Sequence, residues 1–468
     1  MHHRVWTPWW RLFRCIVWFF GLGMMSSMAN AREVQLTDAP YGHILTNTGV
    51  WSPDGRWIVY DVRSDRDGSV FDGTRIERVW VDSGRIERLY ESGDGACCGV
   101  VTCSPVDDRL VFIHGPERPT ADWTYAATRR RGVILSAAGQ DAGVSNLDAR
   151  DLVAPYTPGA LRGGTHVHVF SGDGAWVSFT YEDEVLASAG GKHGVEPNQR
   201  NVGVSIPGRP VRVPPRHPRN HDGAYFSVLV TRTVSAPEPG SDEIRRAFSD
   251  AWVGRNGYAR AGGGRQARAI AFQGEVVLPD GGTISEVYIV DLPEDCTQPG
   301  AGPLEGTPLL RPAPSNGVVQ RRLTRTQDRV YPGIQGPRHW LRSHPDGSRI
   351  AFLMRDDGGR VQVWTVSPNG GDPVKVTRNN GDVASAFSWS PDGGWVAYVL
   401  NGRVVATEVA TGETRPLTPP AEAGFEPLPL AVVYAPDGGR IAYLKPARHV
   451  DGGVFNQVFW CDATANRD

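Results

Sequence analysis

His166 and His168 stand two residues apart in the run Gly164-Thr165-His166-Val167-His168-Val169-Phe170. Neutral imidazole nitrogens bind divalent metals, and two on one strand face with a third from elsewhere would make a ligand set. His339 is the third candidate. Arg162 and Arg338 lie close by in sequence, and His43 and Asn47 add polar groups near the N-terminus. Guanidinium and imidazole groups aimed at one point would equally make a cationic cup for a carboxylate or a sugar acid. A plain water-filled channel would tolerate the same residues. The run Arg129-Arg130-Arg131 could grip an anion or line a solvated turn. Glu182 and Glu184 offer two carboxylates on one face of a strand end, or a solvated edge. There is no Gly-x-Ser-x-Gly elbow, no His-Glu-x-x-His and no phosphate loop. These absences weigh against an enzyme.

The elements that must position these residues follow from a repeated phrase. Trp51-Ser52-Pro53-Asp54-Gly55 precedes Trp57-Ile58-Val59-Tyr60, a tight turn followed by a strand too apolar for a sheet with a wet face. The phrase returns around Ser104-Pro105, Ser171-Gly172-Asp173-Gly174, His344-Pro345-Asp346-Gly347, Ser390-Pro391-Asp392-Gly393 and Ala435-Pro436-Asp437-Gly438, with a fainter copy at His221-Asp222-Gly223. The closest copies are about 45 residues apart, the length of one four-stranded propeller blade. Each phrase is followed by an apolar strand and a polar outer strand. That outer strand also appears once before the first phrase, at Val34–Thr37, whereas the last phrase lacks one after Phe455–Trp460. The leading strand therefore completes the last blade and closes the ring. The expected fold is an all-β, seven-bladed β-propeller of four-stranded blades, with six or eight blades left open by an irregular middle. Aligned on the turn, His166 falls level with His339, Asn47 and Ser385, on inner strands that line the axis.

The middle also suggests a short amphipathic helix inserted at about 235–265. Ser241 would cap it, with Ile244, Phe248 and Trp252 four residues apart. Residues 1–31 read as a signal peptide. A basic start precedes the short apolar core Cys15–Met25, and Ala29-Asn30-Ala31 is a cleavage site. Cutting after Ala31 leaves a propeller domain over 32–468, periplasmic or secreted, with no transmembrane segment in the mature chain. Of 468 residues, 49 are Lys or Arg and 51 are Asp or Glu, which gives no footprint for nucleic acid. Cys97, Cys98, Cys103, Cys296 and Cys461 remain, an odd number. They are expected as buried thiols with at most a bridge from Cys97 or Cys98 to Cys103.

The repeats resemble the WD40-like repeats of the TolB propeller superfamily. Longer segments, including Gly42-His43-Ile44-Leu45-Thr46-Asn47-Thr48, Val111-Phe112-Ile113-His114-Gly115-Pro116-Glu117 and Pro337-Arg338-His339-Trp340, resemble the YidR-type family of unknown function. The resemblance implies a propeller and brings no established activity. The axial histidines also resemble those that the oligogalacturonate lyase propeller sets around a metal. The expectation is a monomeric binding module of the cell envelope that recognises a protein or a small anionic or carbohydrate ligand. The alternative is a metal-dependent lyase or hydrolase acting on acidic carbohydrate, with His166, His168 and His339 holding a divalent metal.

Overall fold

The computed structural model describes residues 32–65, 68–137, 143–337 and 340–463. Seven four-stranded antiparallel sheets follow one another along the chain. Their inner strands are Gly42–Ile44, Cys98–Cys103, Gly163–Phe170, Ala247–Trp252, Arg342–Ser343, Ser388–Trp389 and Val432–Tyr434, in blades one to seven. The ring closes as expected. Glu33–Gln35 is the outer strand of blade seven, with Glu33 opposite Cys461, Val34 opposite Trp460 and Gln35 opposite Phe459. Leu36 N–H donates to the Val458 carbonyl at 2.8 Å, and the Thr37 hydroxyl donates to Gln457 Oε1 at 2.7 Å.

The turn phrase works through one side-chain pattern. Ser52 Oγ donates to Asp54 Oδ1 at 2.7 Å, and Trp57 N–H donates back to Ser52 Oγ at 3.1 Å. Ser171 with Asp173 and Ser390 with Asp392 repeat it. Gly55, with φ 68°, occupies the left-handed corner that a Cβ would strain.

The core sits between blades rather than within them. Each neighbouring pair of blades, including blade seven with blade one, shares one buried apolar cluster. A blade is thus covered on both faces, which is why Trp57–Tyr60 shows no wet alternation.

Two expectations change. Ala247–Trp252 is the inner strand of blade four, paired from Ala247 opposite Gly274 to Trp252 opposite Ile270, and not a helix. A spacing of four fits one face of a strand as well as a helix, and the edge of Ala269–Val277 supplies the hydrogen bonds. The one α-helix among the described residues is Glu184–Ala189, capped by Asp183. The phrase at His221 does not open a blade, because Phe226–Leu229 is the outer strand of blade three. The five cysteines are free thiols. No helix among the described residues is long and apolar enough to cross a membrane.

Thr37 gives a test of closure. Its hydroxyl donates to Gln457 and also accepts the Val458 N–H at 2.9 Å, all in the buried seam. Thr37→Val is expected to cost about 1–3 kcal/mol, the penalty for stranding buried polar groups, read as a lowered urea midpoint. An unchanged midpoint would show that the seam contributes little.

Candidate functional site

Inner strands from all seven blades enclose a funnel of about 610 Å³ on the axis, at the end where the Ser-Pro-Asp-Gly turns lie. Its wall is aromatic because one strand position, the residue next to the turn, is Trp51, Phe170, Trp252, Trp389 and Tyr434 in five blades. Three of these indoles stitch neighbouring blades. Trp51 donates to the Val433 carbonyl at 2.9 Å, Trp252 to Val169 at 2.9 Å and Trp389 to Arg342 at 3.2 Å. The ring faces are thereby fixed before any ligand arrives.

Two charged groups, the buried Asp250 and the half-buried Arg342, line the funnel, and the exposed Arg255 stands at its mouth end among the turns. Asp250 is 3% exposed and its Oδ2 has no hydrogen-bond partner among the described residues. Burial pushes its carboxyl up to about 6, against the opposing pull of the Ser178 hydroxyl and the Arg342 charge. Arg342 donates to the carbonyls of Leu341 and Asn47 at 2.7 and 2.8 Å, while its Nε is unpartnered. Burial lowers this guanidinium to about 10, so it stays charged at neutral pH.

A second cavity of about 370 Å³ lies further along the inner strands, toward their N-terminal ends, and shares Asn47, Val167 and Trp340 with the funnel. Arg130, His166, Arg63 and Tyr125 line it. His166 is held neutral, well below the usual histidine range, by burial and by the charges of Arg130 and Arg200.

The expected site residues separate. Asn47 lies where the two cavities meet, and His166 lines the second. His168 lines neither. It is fully buried against Phe179, with a ring-centroid distance of 6.3 Å, and a Cβ on Gly132 of blade two would lie 2.7 Å from its Nε2. A bulge between His166 and Val169, with Val167 at φ 51°, breaks the alternation that would have put both rings on one face. His43 is buried between blades one and seven, where its Nδ1 meets the Asn456 carbonyl at 2.8 Å and burial lowers it to about 4. Arg162 is fully buried, paired with Asp183 at 2.7 Å and bonded to the carbonyls of Thr307 and Leu310. It clamps a loop and lines neither cavity. Arg338 and His339 lie outside the described residues. Among the described residues no group of three His, Cys, Asp or Glu side chains could hold a metal ion.

The other sequence candidates are mostly paired. Glu182 binds Arg200 at 2.8 Å, while Glu184 starts the helix and meets Thr128 and Arg129. Sequence reasoning missed Asp250, which the expected helix concealed, and Arg342, which stands just before a turn phrase and was readable as an inner-strand cation.

These observations define a β-propeller whose axis holds two joined, ligand-sized cavities. A family model described as "Protein of unknown function (DUF3748)" matches residues 97–221. The chain is 46% identical over 417 residues to the Uncharacterized protein YidR of Escherichia coli (strain K12), covering 88% of this chain and 94% of that one. It belongs to that family. Among solved structures it is similar to an oligogalacturonate lyase in complex with manganese, with a TM-score of 0.51 and 10% identity, covering 93% of this chain and 98% of that one. An oligogalacturonate lyase from Vibrio parahaemolyticus gives a TM-score of 0.52 and 10% identity, covering 93% and 94%. At such identity the likeness speaks for the fold alone.

Asp250 supplies a signed pH test. Its folded carboxyl titrates near 6 instead of 3.8. Its stabilising contribution is therefore complete below about pH 4 and is lost as pH rises through 6. Asp250→Asn is expected to raise stability at pH 7.5 by about 1–3 kcal/mol and to change it little at pH 4. Paired urea titrations at the two pH values check this, and equal effects at both would refute the buried, raised carboxyl.

Proposed function

We propose that the protein is an exported, TolB-like propeller of WD40-like repeats that serves as a binding module in the cell envelope, with its ligand in the axial funnel. The observation that carries this reading is the funnel itself. Aromatic faces are prefixed by inter-blade hydrogen bonds, and Asp250 Oδ2 and Arg342 Nε stand buried and unpartnered at the same site. Buried polar atoms left unpaired cost stability, so their place on an accessible axis suits a ligand that completes them. Aromatic walls suit the C–H faces of a carbohydrate or another flat, part-apolar group. Export to the periplasm or beyond rests on the leading 31 residues.

A metal-dependent lyase or hydrolase acting on acidic carbohydrate is the second reading. It is favoured by His166, whose Nδ1 has no partner among the described residues. The described residues alone do not fit a metal, since His168 is packed between blades. Metal analysis of the purified protein decides it, with stoichiometric metal lost in His166→Ala favouring the enzyme.

The binding reading is tested by tryptophan fluorescence, because Trp51, Trp252, Trp340 and Trp389 all line the funnel. Titration with a panel of neutral and acidic envelope saccharides is expected to give a saturable change. Trp252→Phe, which loses the indole N–H but keeps a ring, is expected to weaken it at least tenfold. A panel without response, or a response untouched by that change, would count against the funnel.

A further inference from the structure

Arg129, Arg130 and Arg131 leave the same stretch of chain toward three different environments. Arg129 pairs with Glu184 at 3.1 Å and lies over Trp123. Arg131 pairs with Glu117 and donates to Asn146 Oδ1 at 2.7 Å. Arg130 alone has no carboxylate partner among the described residues, although it is the most buried of the three at 7% exposure. Its one side-chain hydrogen bond goes to the Tyr125 hydroxyl at 3.3 Å, and its Nε has no partner among the described residues. Glu182 acts on it only through space, being bound to Arg200. Burial accordingly lowers this guanidinium from its ordinary value. The second positive group on the chamber, Arg63, is already neutralised by Asp61 at 2.6 Å and covers the Phe71 ring. No Asp or Glu lines the chamber among the described residues.

The remaining lining specifies more than charge. Asn47 and Thr46 line the same chamber as the cation, and their Oδ1 and Oγ1 atoms are buried without a partner among the described residues. His166 is neutral and presents an unpartnered Nδ1. Phe71 stacks on Tyr125 with centroids 4.7 Å apart, and both rings line the same chamber. One uncompensated cation matches a single negative charge. Acceptors match hydroxyl donors, and rings match a C–H face.

We infer that this chamber is a binding site for a hydroxylated carboxylic acid of monosaccharide size, a sugar acid, with Arg130 receiving the carboxylate and Asn47 and Thr46 the hydroxyl groups. This goes beyond the funnel reading, since Arg130, Thr46 and His166 line the chamber and not the funnel, and the assignment stands even where the funnel takes no ligand. The cost of burying Arg130 without a counter-charge is offset when the carboxylate enters. A dianion such as phosphate would leave one charge unmatched in a low-dielectric pocket.

Calorimetric titration of the purified protein with D-glucuronate, D-glucose and inorganic phosphate tests the assignment. Glucuronate is expected to bind at least tenfold more tightly than glucose or phosphate. Arg130→Met is expected to lose at least tenfold in glucuronate affinity, and Arg130→Lys to keep part of it. Without ligand, Arg130→Met is expected to melt no lower than the unaltered protein, because an uncompensated buried charge has been removed, so lost binding is not lost folding. Equal affinity for glucose, tighter binding of phosphate, or full glucuronate affinity in Arg130→Met would each overturn the assignment. So would a destabilised Arg130→Met protein.

Discussion

Pairing of Glu33–Gln35 with the last long strand is the constraint on which the axis depends. Each blade is apolar on both faces, so it needs a neighbour on both sides. A row of seven would leave two such faces in water, and closure gives each a partner. Blade seven packs on blade one through Leu36, Ile44, Val50, Val433, Val458 and Trp460, and the first and last described strands pair in blade seven. Glu33 adds an ion pair with Lys445 at 3.0 Å. Once the ring is shut, every inner strand faces the same line. Convergence of their side chains is then geometry, and what needs explaining is which side chains those are.

Three successive inner strands meet that geometry with the same irregularity. Register shifts fall between Gly99 and Thr102, between His166 and Val169, and between Phe248 and Ala251. Each contains a non-glycine residue in the left-handed region, Val100 at φ 57°, Val167 at 51° and Ser249 at 55°. For a β-branched residue this conformation is strained. The strain has a structural return, since it breaks strict alternation. In blade three it sends His166 to the axis and His168 into the packing beside blade two. In blade four it accompanies Asp250 into the funnel. Where the strands approach most closely, the extra residue changes what the axis presents without changing how the blades stack.

The sequence was legible where one physical device recurs. A serine, an aspartate and a left-handed glycine fix the turns of blades one, three and six through local hydrogen bonds, and the other turns keep parts of the phrase, so the turns announce the blades, and the missing outer strand announces closure. The site was less legible because it depends on register. Counting in twos placed His166 and His168 together, and a bulge with no sequence mark separated them. Counting in fours made a helix of Ile244, Phe248 and Trp252, where the partner strand Ala269–Val277 made a sheet. Arg162 looked like a rim cation, yet Asp183 and two carbonyls consume it. Whether an arginine is free is decided by long-range partners, and those of Arg129, Arg130 and Arg131 come from three different places.

The unsatisfied groups are unevenly distributed over the fold. A propeller that needed only to stand could fill its centre with aliphatic side chains, as it fills its inter-blade cores. Instead Thr46, Asn47, Arg130, His166, Asp250 and Arg342, which line the two axial cavities, each hold a buried polar atom without a partner among the described residues. Each such atom subtracts from stability, and the subtraction is sustainable because the packing that holds the ring lies elsewhere, in the clusters between blades. Rigidity and recognition are thereby carried by different atoms. The blades can preserve their apolar seams while the axial positions change, which is the arrangement that the proposed binding function requires of a scaffold, with its local inconsistencies gathered on the axis.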